Sequence, residues 1–334
     1  MQSVLHNVIG PKEVHPTNLD GRVAVVTGGA LGIGFEVSRA LAHAGCKVIM
    51  VNRKEEQGES AIETIKKETP GAQVEWKECD MGNLKQIQEV FSKLREELGR
   101  VDFVVCAAGI NTNQYGVDSD NIDRHFGVNY LGHFYVINQL WPLIRKTARR
   151  PDTPAPRIVF ESSEVHRMAP SVVHFGSLEE INNPSLGPTE LYGRTKLAMI
   201  LLAKYGLAGK AIRQTGDRIY ALAVHPGAVN TAMQQQWKDA YPGITGQLLS
   251  YAMLSMGRDV EQGSYSALWA LTAPEIEEKD LNGYYFNDPG KPGKESSQAS
   301  DPLLGAALWD LSHRLVKMKL GNDALIDWNA KWEA

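Results

Sequence analysis

Cysteine is scarce. The 334 residues hold three, Cys46, Cys79 and Cys106. They lie far apart and are odd in number, matching neither a disulfide framework nor a zinc site. Reduced core thiols in an intracellular protein are the reading that fits. An excess of one charge is also missing. Lys and Arg total 35 against 39 Asp and Glu, a formal net charge of -4. Nothing at the level of the whole chain calls for nucleic acid or a membrane surface. No apolar run nears the roughly 20 residues of a membrane helix. The opening MQSVLHNVIGPKEVHPTNLD is polar and broken by Pro11 and Pro16, without the apolar region of a secretory leader. Gly numbers 31 but has no period, which excludes a collagen-like repeat. A soluble, cytoplasmic protein with no metal site is expected. The rest is an ordinary globular balance, 43% hydrophobic and 22% charged. That excludes disorder and suffices for a large core.

The pattern along the chain is strand, helix, strand. VAVVT (23–27) is a near-continuous apolar run, as in a parallel strand covered on both faces. A helical face of Val37, Leu41 and Ala44 follows and stops at Gly45. Further strands are read at 47–51, 74–79, 101–106, 157–162, 218–224 and 283–287. Helices are read between them: a charged one over 55–68, one carrying Leu84, Ile87, Phe91, Leu94 and Leu98, a long one from Asn121 to Arg145, and one from Thr189 to about Leu207. This alternation predicts an α/β protein with one Rossmann-type, doubly wound parallel sheet of about seven strands. No linker divides it. The whole chain, 1–334, reads as a single domain with a core over about 20–290. A cap or lid is read over 228–260 and a C-terminal extension over 288–334. At its start, 287–302 reads as a flexible connector, and 303–320 reads as a helix. RKTARR (145–150) reads as a solvated helix end, and Trp328 and Trp332 as groups that dock the tail.

Several short motifs carry chemistry. Thr27-Gly28-Gly29-Ala30-Leu31-Gly32-Ile33-Gly34 lies between a buried strand and a helix. Glycine lets the backbone approach a pyrophosphate, and the helix N-terminus favours the anion. Tyr192 and Lys196 are spaced i, i+4 and share one helix face. A phenol with a pKa of about 10 ionises poorly at neutral pH, and a nearby ammonium favours its phenolate. Such a Tyr can give a proton to a carbonyl oxygen or take one from an alcohol. Ser163, just past a strand, can hydrogen-bond the same oxygen.

The G-x-x-x-G-x-G spacing resembles the short-chain dehydrogenase/reductase family, and more residues join it. Cys106-Ala107-Ala108-Gly109 resembles the family's Asn-Asn-Ala-Gly, with Cys and Ala in place of the two Asn. Tyr192-Gly193-Arg194-Thr195-Lys196 is its Tyr-x-x-x-Lys, and His225-Pro226-Gly227 follows a strand as in the family. The long interval from Ser163 to Tyr192 resembles the retinol-dehydrogenase-like branch with its fungal members. The resemblance covers about 20–290. It implies a catalytic set of Asn129, Ser163, Tyr192 and Lys196, with Asn129 holding a water that joins Lys196 to solvent. It implies a cofactor site of Gly28, Leu31, Gly32, Ile33, Gly34, Asn52, Arg53, Asp80, Met81, Ala107, Ala108, Gly109, Pro226, Gly227, Val229 and Thr231. It also implies pairing of two copies through the helices carrying Asn129 and Tyr192, a homodimer that the C-terminal extension could block.

Cofactor choice is read at the end of the second strand, Val51-Asn52-Arg53-Lys54. No acidic group stands there to meet a ribose 2′-hydroxyl, and Arg53 can grip a 2′-phosphate. NADP(H) is expected; the plainer alternative is that Arg53 and Lys54 only solvate the next helix. Asp80 is either an adenine contact or a helix N-cap. Glu161 breaks the apolar pattern of its strand, so it is expected to pair with a base or face a polar cavity. His166 and His174 read as surface or loop residues rather than catalysts, although His166 could touch substrate. The aromatic and Met residues of 233–256 are either a substrate lid or core. The expected reaction is NADPH-dependent reduction of a lipophilic ketone or aldehyde, or oxidation of the alcohol. A non-redox isomerase, dehydratase or cyclase in the same pocket, and a redox-silent NADP(H) binder, are the alternatives.

Overall fold

The computed structural model describes residues 11–151, 153–229 and 258–330. Strands β1 (Val23–Thr27), β2 (Lys47–Asn52), β3 (Val74–Glu78), β4 (Phe103–Cys106), β5 (Arg157–Glu161), β6 (Tyr220–Val224), β7 (Tyr285–Asp288) and β8 (Lys291–Pro292) form one sheet. Their order is β3-β2-β1-β4-β5-β6-β7-β8. The first seven run parallel, and β8 returns antiparallel on β7. The sheet is the expected one with an eighth strand added. Two residues containing a proline gave no period from which to read β8.

Chain direction across the sheet reverses between β1 and β4, so loops diverge there and leave a crevice at the carboxyl ends of the strands. The strands are apolar because both faces are covered. On one face lie α1 (Gly32–His43), α2 (Glu55–Glu68) and α6 (Val260–Thr272). On the other lie α3 (Leu84–Glu97), α4 (Gly132–Ala148), α5 (Pro188–Leu201) and α7 (Pro302–Leu320). Gly45, at φ +93°, turns the chain from α1 into β2. The three cysteines are buried and free, and burial pushes the Cys46 and Cys79 thiols up to about 12.

The helix expected over 121–145 is broken up. A short turn at Arg124–Phe126 leads into a π segment, Gly127–Leu131, before α4 begins. The helix that starts at Pro188 likewise passes into a π segment at Leu202–Ile212. A wider turn keeps the apolar residues buried, so composition does not reveal it.

The connector over 287–302 is held rather than loose. The Ser296 amide donates to His166 Nε2 at 3.1 Å, and Gln298 Nε2 donates to the Pro170 carbonyl at 2.8 Å. Beyond it, Asp301 caps α7 by accepting from the Leu303 and Leu304 amides. α7 and the tail lie over α4. Tyr130 Oη and Ser312 Oγ are 2.7 Å apart, and Trp141 Nε1 donates to the Trp328 carbonyl at 2.8 Å. Trp328 thus docks the tail as expected; Trp332 lies outside the described residues. Arg145 is no solvated helix end. It is buried, and its Nε donates to Asp217 at 2.5 Å.

The expected lid falls largely on 230–257, outside the described residues. The two ends of that segment are joined: Val229 bridges Arg258, whose amide donates to the Ala228 carbonyl at 2.7 Å.

Candidate active site

The crevice at the reversal point is a cleft of about 1100 Å³, at the upper end for small-molecule sites. Its outer wall is the turn between β1 and α1. Gly28 and Gly32 have φ +66° and +59°, conformations that side chains disfavour. A Cβ on Gly28 would lie 2.8 Å from the Ala108 backbone, and one on Gly34 would lie 2.4 Å from the Gly28 carbonyl. The turn therefore needs glycine to close onto α1 and onto the loop after β4. Thr27 fixes that loop: its Oγ1 accepts from the Ala107 and Ala108 amides at 3.1 and 3.2 Å and lies 2.8 Å from His133 Nε2.

Of the residues proposed above for cofactor binding, all but Thr231 line this cleft; Thr231 lies outside the described residues. Asn52 Oδ1 is buried without a hydrogen-bond partner at the end of β2, while the Arg53 side chain is 66% exposed beside it. Asp80 is not the helix cap. It accepts from the Gly82 amide at 2.9 Å, and Asn83 caps α3 by accepting from the Gln86 amide. A glycine turn on a helix N-terminus, an orphaned polar atom and an unburied guanidinium fit a dinucleotide with room for a second small molecule.

The inner end of the cleft joins Ser163, Tyr192 and Lys196. Ser163 leaves the end of β5, and its Oγ accepts from the Val165 amide at 3.2 Å. Ser162 Oγ donates to the Lys196 carbonyl at 2.9 Å, tying α5 to β5. Lys196 Nζ donates to the Glu161 backbone carbonyl at 2.5 Å and lies 5.2 Å from the Tyr192 ring centroid. The Lys and the Tyr meet as their spacing requires. The lowered phenol expected from that meeting is absent: burial first, and then Glu161, push Tyr192 up.

Asn129 does not line the cleft. It sits in the π segment, with Oδ1 accepting from the Ile110 amide at 2.7 Å. Its Nδ2 donates to the Ile110 carbonyl and to Thr195 Oγ1, at 2.9 and 3.2 Å. It thus braces the loop after β4 against α5.

Glu161 faces the cavity, and its carboxyl makes no hydrogen bond with a base. His166 is no surface residue. It is buried, with Nδ1 2.7 Å from the Ser163 carbonyl. His174 is exposed as expected.

Three site groups had no readable sign in the sequence. Arg258 binds the Pro226 carbonyl at 3.1 Å and Asp288 at 2.6 Å, holding the strap after β6. Arg194, inside the Tyr-x-x-x-Lys run, is buried against Asp123 at 3.3 Å. His133 joins Thr27 to the Asn129 carbonyl. Each takes its role from a partner far away in sequence, which no local pattern marks.

Comparison with known proteins agrees with this geometry. The family model for short chain dehydrogenase matches residues 22–242. A mitochondrial protein of Neurospora crassa named as an oxidoreductase, bli-4, is 31% identical over 311 residues, spanning 90% of this chain and 73% of its own. A crystal structure of a protein from Mycobacterium paratuberculosis superposes with TM-score 0.65 at 26% identity, covering 90% of this chain and 94% of the other. A structure described as a short chain dehydrogenase of Shigella flexneri complexed with NADP superposes with TM-score 0.59 at 22% identity, over 81% and 98% of the two chains. That last likeness bears on the fold alone. The chain belongs to the short-chain dehydrogenases, oxidoreductases that use a nicotinamide cofactor. Among the described residues no helix is long and apolar enough to cross a membrane.

Proposed function

We propose that this chain is an NADP(H)-dependent reductase of lipophilic ketones or aldehydes, able to run in reverse on the alcohol. The observation that carries the reading is the meeting of Ser163, Tyr192 and Lys196 with the glycine turn on one cleft. A bound reduced nicotinamide supplies a hydride to the carbonyl carbon. The protein handles the oxygen. Tyr192 gives it a proton, and Ser163 hydrogen-bonds it as charge develops. Burial keeps the Tyr192 phenol protonated, the form that can give a proton to the carbonyl oxygen. Lys196 supplies the positive charge that offsets phenolate as the proton leaves. Ile110, Val117 and Val165 line the same cleft and favour an apolar substrate.

Asn52 and Arg53 support NADP(H) over NAD(H), since β2 ends in an amide rather than a carboxylate and the residue after it offers a guanidinium to receive a 2′-phosphate. The test is a panel of lipophilic ketones and aldehydes followed by NADPH absorbance. Tyr192→Phe should lose most turnover, roughly a hundredfold or more, with NADPH affinity nearly intact. Unchanged turnover would remove Tyr192 from the chemistry.

A further inference from the structure

Glu161 lies in the inner cleft with no task in the reaction above. It ends β5, is 5% exposed, and lines the cavity with Tyr192 and Lys196. Both carboxyl oxygens are buried without a hydrogen-bond partner. A carboxylate in such a place is costly unless it is neutral or answered by a cation. The cation is at hand. Lys196 Nζ rests on the backbone carbonyl of Glu161 itself, and its other contact is Met199 Sδ at 3.9 Å. Among the described residues neither charge has an ion-pair partner elsewhere, so the two buried groups act on each other through the cleft.

Among the described residues, the surrounding titratable groups offer Glu161 no other partner. From α5, the Tyr192 phenol is held protonated by burial. His225, at the end of β6, and His133, on α4, are each kept neutral by burial, lowered to about 4. Cys106 on β4 is a buried neutral thiol. In the turn after β5, Glu164 is paired with Arg167 at 2.7 Å and accepts from Tyr285 Oη at 3.0 Å. His166 there is engaged with the Ser163 carbonyl.

We propose that Glu161 is a positioning residue that acts through Lys196: the carboxyl and the ammonium share charge in the cleft, and this sets the pH up to which Lys196 stays cationic beside Tyr192. The proposal rests on the Tyr192–Lys196 reading above. The signs follow from burial. Burial pushes the Glu161 carboxyl up and the Lys196 ammonium down, and each charge opposes the other's shift. At low pH Glu161 is a neutral acid and Lys196 is charged. As pH rises, Glu161 ionises, and its negative charge then holds the proton on Lys196. With glutamine in its place that hold is gone, and Lys196 loses its proton at lower pH.

The test uses the full chain without cofactor, labelled with carbon-13 at the lysine ε position. The Lys196 resonance is assigned by its loss in Lys196→Met. In Glu161→Gln its titration should move down by roughly one pH unit or more. Glu161→Val, apolar like the rest of the strand, should move it the same way and covers the case of a glutamine variant that fails to fold. With the best ketone of the panel, the alkaline limb of kcat/KM should move down by the same amount. A Lys196 titration unchanged in both variants overturns the proposal. So does a shifted titration with an unmoved alkaline limb. Failure of Tyr192→Phe to lose turnover would instead strike the Tyr192 assignment and leave the lysine titration as measured.

Discussion

At the scale of single residues, the cleft wall after β2 and the helix carrying Tyr192 differ in how openly they declare themselves. Arg53 is largely exposed and 3.7 Å from Asp80, an ion pair worth little for stability at such a surface. The proposed function gives it a binding role instead. Arg53→Ala should weaken NADPH by roughly tenfold or more, the loss of a charge-assisted contact, and leave NADH almost unchanged in a fluorescence titration. Equal losses would argue against 2′-phosphate recognition. The place of Arg53 on the cleft was legible because it follows the last residue of β2, at the carboxyl edge of the sheet. Arg194 was not. The Tyr-x-x-x-Lys pattern marks its neighbours and treats its own position as free, yet its guanidinium donates to the Ile181 carbonyl at 2.7 Å and meets Asp123. A local pattern cannot say which spacer residue points inward against a loop far away in sequence. His166 was misread for a like reason. Its burial depends on Ser296, 130 positions along the chain.

At the scale of elements, the strands were readable because a parallel strand covered on both faces is nearly all apolar, as in β1, β4 and β6. The π turns were not, although one of them sets Asn129 between the Ile110 backbone and Thr195. The glycine turn is the element whose geometry can be tested most directly. Gly34 packs its α carbon against the Gly28 carbonyl, where a methyl group would sit at 2.4 Å. Gly34→Ala should push α1 off the turn. Overpacking of this kind costs about 1–3 kcal/mol, so NADPH affinity should fall by roughly tenfold or more. The melting temperature should fall little if the strain is taken up by the turn. An affinity equal to wild type would show that the turn tolerates a side chain.

At the scale of the whole molecule, the described part of the C-terminal extension is structural cover. α4 is buried along its length, from Gly132 to Ile144. Part of that cover is the chain's own C-terminal region: Phe134 and Trp141 pack their rings on Trp328, and Tyr135 Oη donates to the Ala324 carbonyl at 3.0 Å. The face through which family members were expected to pair is thus occupied internally. The full chain should sediment as a monomer at micromolar concentration, and a chain ending before Pro302 should associate or aggregate through the bared rings. A stable dimer of the full chain would show that another surface is used. The bridge between Val229 and Arg258 has a different kind of consequence. It closes the sheet side of the fold before the intervening 230–257 is counted. Loop closure grows by only about 0.6 kcal/mol per doubling of length. Descendants of this sequence are therefore free to lengthen, shorten or exchange that stretch while keeping the sheet beneath it, and under the proposed lid role of 228–260 substrate choice could drift without a toll on whether the chain folds.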